Sequence, residues 1–246
     1  DRGLSFAFHV NGVAIFAKGA NWIPCDALPA RQTRAVLDDL LSSAAAAHMN
    51  MIRVWGGGQY ESEDFYDLCD DKGLLIWQDF MFSCSTYPAT AEFLASVEEE
   101  ARYQVKRLRD HACIALWCGN NEDLGALNWF PASRDNRDRY LVDYDRLTEG
   151  VLGRVVDECD PTRSFWPSSP CGGRGDYSDN WHDDSRGDMH YWQVWHSGKS
   201  FDAYYDVAPR FCSEFGYQSF PSMETIETYA PEDQFNVTAP IMEHHQ

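Results

Sequence analysis

The chain has 246 residues, 44% of them hydrophobic, which fits one large α/β domain or two small ones with a buried core. Its 20 Lys and Arg stand against 39 Asp and Glu, and a formal charge of −19 repels nucleic-acid phosphates and anionic membrane surfaces, so neither is expected as a partner. A neutral ligand remains, and an aromatic content of 14% with nine Trp supplies flat apolar faces with polar handles suited to a sugar.

Residues 6–10 and 13–16 are apolar runs flanking Asn11-Gly12, a pairing that predicts an opening β-hairpin. Residues 17–20 form the first candidate parallel strand. A helix is predicted over 31–47, with Val36, Leu37, Leu40 and Leu41 on its apolar face, leading into a strand at 51–55. The alternation repeats: a helix at 64–71 before a strand at 74–77, a helix at 91–109 before 113–117, and a helix at 137–158 before 164–166. After a Gly- and Asp-rich loop come strands at 189–192 and 210–213. Residues 221–229 read as a helix or turn and 235–246 as a loop. Seven parallel strands in βαβα order leave an open doubly wound sheet or an eight-stranded (β/α)8 barrel. The segment after Ala20 carries no glycine-rich phosphate cradle, and Gly56-Gly57-Gly58 lacks the spacing of one, so the TIM barrel is the expected fold. With seven strands found, it is expected to be truncated after the seventh.

The eight cysteines form no CxxC pair and read as reduced and mostly buried. The opening Asp1-Arg2-Gly3 does not begin a secretory signal, and the compartment stays open. Asn236-Val237-Thr238 matches a glycosylation sequon, a pattern too short to weigh. His182-Asp183-Asp184 and Asp176-Tyr177-Ser178-Asp179 could recruit a hard cation but match no calcium loop, and no zinc spacing exists. No catalytic metal and no cofactor are expected. His244-His245 reads as solvent-facing. No Ser sits in a GxSxG elbow.

Barrel enzymes build their sites at the C-terminal ends of the strands, and two carboxylates stand there. Asn121 and Glu122 lie just beyond the fourth parallel strand and Glu214 at the end of the seventh, positions that face each other across a closed barrel. Two opposed carboxyls suit glycoside hydrolysis, in which one protonates the leaving oxygen and the other attacks the anomeric carbon. The acid must stay protonated near neutrality through burial or a nearby negative charge, whereas the nucleophile must stay ionised.

The stretches around both carboxylates resemble glycoside hydrolase family 2, above all its β-mannosidase branch. The resemblance rests on Lys18-Gly19-Ala20-Asn21-Trp22-Ile23-Pro24, Asn50-Met51-Ile52-Arg53-Val54-Trp55-Gly56-Gly57-Gly58, Trp77-Gln78-Asp79-Phe80-Met81-Phe82, Trp117-Cys118-Gly119-Asn120-Asn121-Glu122 and Ser213-Glu214-Phe215-Gly216. It implies a retaining exo-glycosidase acting on terminal β-mannosides, with Glu122 as acid/base, Glu214 as nucleophile and Asn121 as partner of the sugar 2-hydroxyl. It also implies β-sandwich domains and a final barrel strand outside the chain. Other family 2 activities, on β-galactosides, β-glucuronides or β-glucosaminides, share this logic, and a non-catalytic sugar-binding barrel is the alternative of another class. Further candidates for substrate contact are Trp55, as a subsite wall or a core cap, and Asp79, on a sugar hydroxyl or paired with Arg53. Trp129 either borders the leaving-group site or shields loop backbone. Around the sixth parallel strand, Asp188, His190, Tyr191 and Trp192 include a donor to the nucleophile, without the sequence saying which side chain points inward.

Overall fold

The computed structural model describes residues 3–178 and 180–245, which form two compact units. The first contains the chain up to His190 together with Ala208–Glu214; the second contains Tyr191–Val207 and the residues from Phe215 onward.

The first unit opens with the hairpin β1 (Phe8–Val10) and β2 (Val13–Ile15), turned by Asn11 and Gly12 at φ 51° and 81°. There follow β3 (Gly19–Trp22), α1 (Arg34–Ala46), β4 (Met51–Val54), α2 (Glu63–Lys72), β5 (Leu75–Asp79), α3 (Ala91–Leu108) and β6 (Ile114–Cys118). Three further helices, α4 (Asp123–Ala126), α5 (Pro131–Asp135) and α6 (Arg137–Leu147), lead through a π-helical stretch, Thr148–Gly153, into α7 (Arg154–Cys159) and β7 (Ser164–Trp166). Strands β3 to β7 form one five-stranded parallel sheet in sequence order, and β8 (Met189–Tyr191) pairs with β9 (Cys212–Phe215) in a second. All seven predicted strands are present within a residue or two, and the chain has an α/β fold with a parallel sheet.

Local chemistry explains the boundaries. The hydroxyls of Thr33 and Thr90 accept from the backbone N–H of Val36 and Phe93, capping α1 and α3. Gly73 ends α2 in the left-handed conformation at φ 67°, open to glycine at no steric cost. Alternation along the strands then sorts the residues. Ile52, Val54, Ile76 and Trp117 turn to the helices and join Leu37, Leu41, Phe65, Val97, Val105 and Val155 in the main core. On the opposite face Met51, Trp77, Leu116 and Cys118 meet Phe6, Phe8 and Phe211, with Phe6 centred 4.7 Å from Trp166 and 5.8 Å from Trp77. Arg53 and Asp79 share that second face, two residues beyond Met51 and Trp77.

Three expectations need correction. Val36 and Leu40 are solvent-exposed, because only the stripe through Leu37 and Leu41 reaches the core. The helix predicted over 137–158 is interrupted at Thr148–Gly153, where a Cβ on Gly153 would come within 3.0 Å of the Phe165 ring, too close for ordinary packing. The loop predicted from 235 instead contains a short helix.

In the second unit lie α8 (Gln193–His196), α9 (Met223–Ile226) and α10 (Pro240–His244). Pro240 starts α10 at a position where its missing N–H costs nothing, and Met242 is buried with Ile226 and Ala230. His244 and His245 are exposed, as expected. Among the described residues no helix is long and apolar enough to cross a membrane.

Candidate active site

Arg53 organises the site. Its guanidinium is almost wholly buried on β4, where a charged residue interrupts an apolar strand. Nη2 donates to Asp79 Oδ2 and Asn121 Oδ1, both at 2.8 Å, and Nη1 donates to Glu214 Oε1 at 2.7 Å and Asn21 Oδ1 at 3.0 Å. Burial opposes its charge, but Asp79 and Glu214 outweigh that and hold the guanidinium even more firmly protonated than usual. Asp79, the last residue of β5, also accepts from Trp77 Nε1 and from the Gly56 N–H, each at 2.9 Å. Gly56 is needed for this approach, since a Cβ there would sit 2.5 Å from the Phe82 carbonyl oxygen. The carboxylate of Asp79 is therefore engaged by the Arg53 network.

Glu122 follows β6 and precedes α4 with φ 63° and ψ 10°, a left-handed conformation that costs energy in a residue bearing a Cβ. Its N–H donates to the Ser169 carbonyl at 2.9 Å, and its carbonyl accepts from Ala126 at 2.9 Å, so the strained backbone is pinned on both sides. The side chain is buried. Oε1 lies 2.6 Å from His190 Nδ1, and the Cys84 thiol donates to Oε2 at 3.5 Å. Burial first, and the negative charge of Glu214 second, push the Glu122 carboxyl up to about 8.

Glu214 stands inside β9 and is equally buried. Its Oε1 pairs with Arg53, and its Oε2 lies 3.3 Å from the same His190 Nδ1 that meets Glu122. Oxygen atoms of Glu122 and Glu214, together with a nitrogen of His190, all fall within 4.8 Å of one another. Three such groups could ligate a metal ion, but the Arg53 cation already occupies one side of Glu214. A second trio, Asp70, His111 and Cys113, has similar spacing, yet both ring nitrogens of His111 already meet carboxylates, Asp70 at 2.7 Å and Glu63 at 3.2 Å. Asp176 and Asp183 bind Arg186 at 2.9 and 3.0 Å, and Asp179 lies outside the described residues.

The remaining candidates divide. Asn121 sits beside Arg53 with its Nδ2 turned toward Ser83 Oγ at 3.4 Å and Cys84 Sγ at 3.3 Å. His190 is the inward-pointing side chain of β8, fully buried between the carboxylates and Ser169. Trp129 is part-exposed and stacks on Trp181 at 6.2 Å, and Trp181 in turn meets the His190 ring edge-on at 5.6 Å. Trp55 is half-buried with its ring over Gly57. Tyr191 and Trp192 belong to the second unit, where the Tyr191 hydroxyl donates to Ala203 and Trp192 lies 5.7 Å from His196. Sequence reasoning missed the pairing of Arg53 with Glu214, the part of Asn21, the thiol of Cys84 and the Trp181 ring. A lone Arg in an apolar strand was the one available signal.

No family model matches the chain. It is 41% identical to the β-mannosidase of Bos taurus over 99% of its own length, and 40% identical to β-mannosidase B of Thermothelomyces thermophilus over 93%. It also superposes on the crystal structure of β-D-mannosidase from Dictyoglomus thermophilum with a TM-score of 0.86, at 41% identity over 100% of its length. The chain belongs to the β-mannosidases of glycoside hydrolase family 2. It spans 28% of the bovine β-mannosidase, 27% of the fungal one and 29% of the bacterial chain. The exo-chitosanase CsxA of Amycolatopsis orientalis, 17% identical with a TM-score of 0.64 over 95% of the chain, shares the fold.

Proposed function

We propose that this chain carries the catalytic residues of an exo-acting glycoside hydrolase that removes terminal β-mannose with retention, and that its seven strands are staves of a (β/α)8 barrel. The observation that carries the mechanism is the pairing of two buried carboxyls, one oxygen of each lying within 4.8 Å of the other, which favours the close spacing of a nucleophile and its acid over the wider spacing that leaves room for an attacking water. Their surroundings differ in the sense double displacement requires. Glu214, countered by Arg53, attacks the anomeric carbon as a carboxylate. Glu122, held protonated by burial and by the charge of Glu214, donates to the leaving oxygen. Once Glu214 is an ester its charge is gone, the Glu122 proton becomes easier to lose, and the same carboxylate activates water for the second step. Asn121, fixed through its Oδ1 by Arg53, offers the sugar 2-hydroxyl an amide N–H₂ that exchanges its long contacts to Ser83 Oγ and Cys84 Sγ for the substrate. Asp79 orients Arg53 from beneath, and the Trp129 and Trp181 rings flank the leaving group. The mannose specificity rests on the relatives' substrates.

Release from aryl β-mannoside, β-galactoside, β-glucuronide and β-glucosaminide by the full-length protein tests the sugar; a preference other than mannose overturns the specificity. An activated 2-fluoro-mannoside should leave a covalent adduct on Glu214. Saturable binding without an adduct would replace the hydrolase with a sugar-binding barrel. Glu122→Ala should keep turnover on substrates with a good leaving group and be accelerated by azide, whereas loss on every leaving group would withdraw the acid/base role.

A further inference from the structure

We infer that Ser169 and Asp188 act as positioning residues that fix the tautomer of His190, leaving its Nδ1 as an acceptor that holds the acidic proton of Glu122. The inference rests on the acid/base reading of Glu122 and deepens it.

Each proton along a buried chain of hydrogen bonds from Asp188 to Glu122 has a definite place. Asp188 is fully buried, and its Oδ1 accepts from Trp166 Nε1 at 2.9 Å and from the Cys171 N–H at 3.0 Å. Its Oδ2 accepts from the hydroxyls of Ser169, at 2.6 Å, and Ser213. Burial raises the Asp188 carboxyl, but four donors converging on its two oxygens leave no place for a proton of its own. Ser169 has one hydroxyl proton, and the Asp188 carboxylate at 2.6 Å is a closer and stronger acceptor for it than the Ser213 hydroxyl at 3.2 Å. The oxygen of Ser169 can then only accept from His190 Nε2, 3.0 Å away, so Nε2 carries the hydrogen.

His190 is fully buried beside Arg53, and both burial and that cation disfavour an imidazolium. With Nε2 protonated and the ring neutral, Nδ1 is a bare lone pair. Glu122 Oε1 is 2.6 Å from it, a distance that is attractive only if the carboxyl supplies the hydrogen. The other groups facing Glu122 are Glu214, Cys84, Arg53 and Asp123. None of them occupies Oε1. The relay therefore gives the acid a fixed direction for its proton before the leaving oxygen arrives, and an acceptor that releases it without itself becoming charged. With the opposite tautomer, an Nδ1–H would be shared between two carboxylates and Glu122 would be stabilised as a base from the start.

The tautomer is read directly by ¹⁵N-detected imidazole shifts of His190 in the unsubstituted full-length protein near pH 6.5. An Nε2–H tautomer with an unprotonated Nδ1 is expected; an Nδ1–H tautomer or an imidazolium overturns the inference whatever any variant does. The kinetic arm uses Ser169→Ala, which keeps the backbone N–H and carbonyl. Freed from Ser169, His190 can turn its proton to Nδ1 and stabilise ionised Glu122, so the alkaline limb of kcat/KM should move down by about one unit. On an alkyl mannoside the loss should be about tenfold or more near neutrality, since proton transfer by a positioned acid is worth about 10²–10⁴-fold. On a dinitrophenyl mannoside, whose departure needs no acid, it should stay within about threefold. Equal losses on both substrates with an unmoved limb would reduce Ser169 to a packing role. Glu122→Ala in the same panel separates the two levels: if it shows no dependence on the leaving group, the acid/base assignment has failed and not the relay alone.

Discussion

Replacing Arg53 by Met tests the electrostatic frame of the site most severely. Met restores most of the side-chain volume but leaves Asp79 and Glu214 buried without their counterion, and Asn21 and Asn121 without the donor that fixes them. Breaking a buried pair by removing one partner costs about 3–5 kcal/mol, chiefly through the charge left behind, and here two carboxylates are left for one guanidinium. The deficit should depend on pH. Burial already raises Asp79 against the pull of Arg53, and without Arg53 it rises further. A carboxyl whose folded pKa exceeds its unfolded value of about 3.9 adds stability below that value and loses it as pH rises through the folded pKa. The variant should therefore lie closest to the parent near pH 4–5 and furthest from it at pH 8. Urea midpoints and slopes at both pH values measure this, and adding Asp79→Asn should recover part of the loss because the two sites are coupled. A cost below about 1 kcal/mol, or one that does not change with pH, would refute the view that Arg53 neutralises buried charge.

The same accounting makes Glu122 a stability liability: with its pKa raised to about 8, the folded state resists ionising a group that the unfolded chain ionises freely. Glu122→Gln should thus be more stable than the parent by about 1 kcal/mol or more at pH 7–8, with the advantage fading below about pH 4.5; thermal melts across that range check it. In the parent, kcat/KM should fall as pH rises through about 8, where the acid loses its proton. At His111 burial lowers the pKa, but the bonds to Asp70 and Glu63 outweigh it and the net shift is upward. His111→Gln should therefore cost more stability below about pH 6.5 than at pH 9, where the parent's imidazolium is lost; equal costs at both ends would mean the ring acts by packing alone.

The strands were legible because each is a short apolar run bounded by polar or glycine-rich turns, and the helices because their apolar spacing and Thr or Gly caps agree. The break at Thr148–Gly153 was not, since Gly150 and Gly153 look like ordinary weak points in a helix until the Phe165 ring is seen beside Gly153. In the site, Glu122 and Glu214 could be singled out because they stand at strand ends and because the stretches around them resemble those of a known family. The rest depends on direction in space. Nothing in the sequence says that Asp79 spends its oxygens on Arg53, Trp77 and Gly56, or that His190 rather than its neighbours turns inward, because strand alternation fixes two faces but not which contacts either face makes.

The position of Arg53 bears on how accurately such a site can be assembled. Asn21 comes from β3, Asp79 from β5, Asn121 from the turn after β6 and Glu214 from β9, and each is one hydrogen bond away from the same rigid planar group. Were these residues located through successive strand-to-strand contacts, small errors of a few tenths of an ångström would add from one strand to the next, and the two ends of the series would carry the sum. A common reference removes that accumulation: the uncertainty between any two of the four is set by two bonds, however far apart their strands lie in the chain. Helices and outer loops can then shift with substitution while the spacing of the groups around Arg53 is preserved.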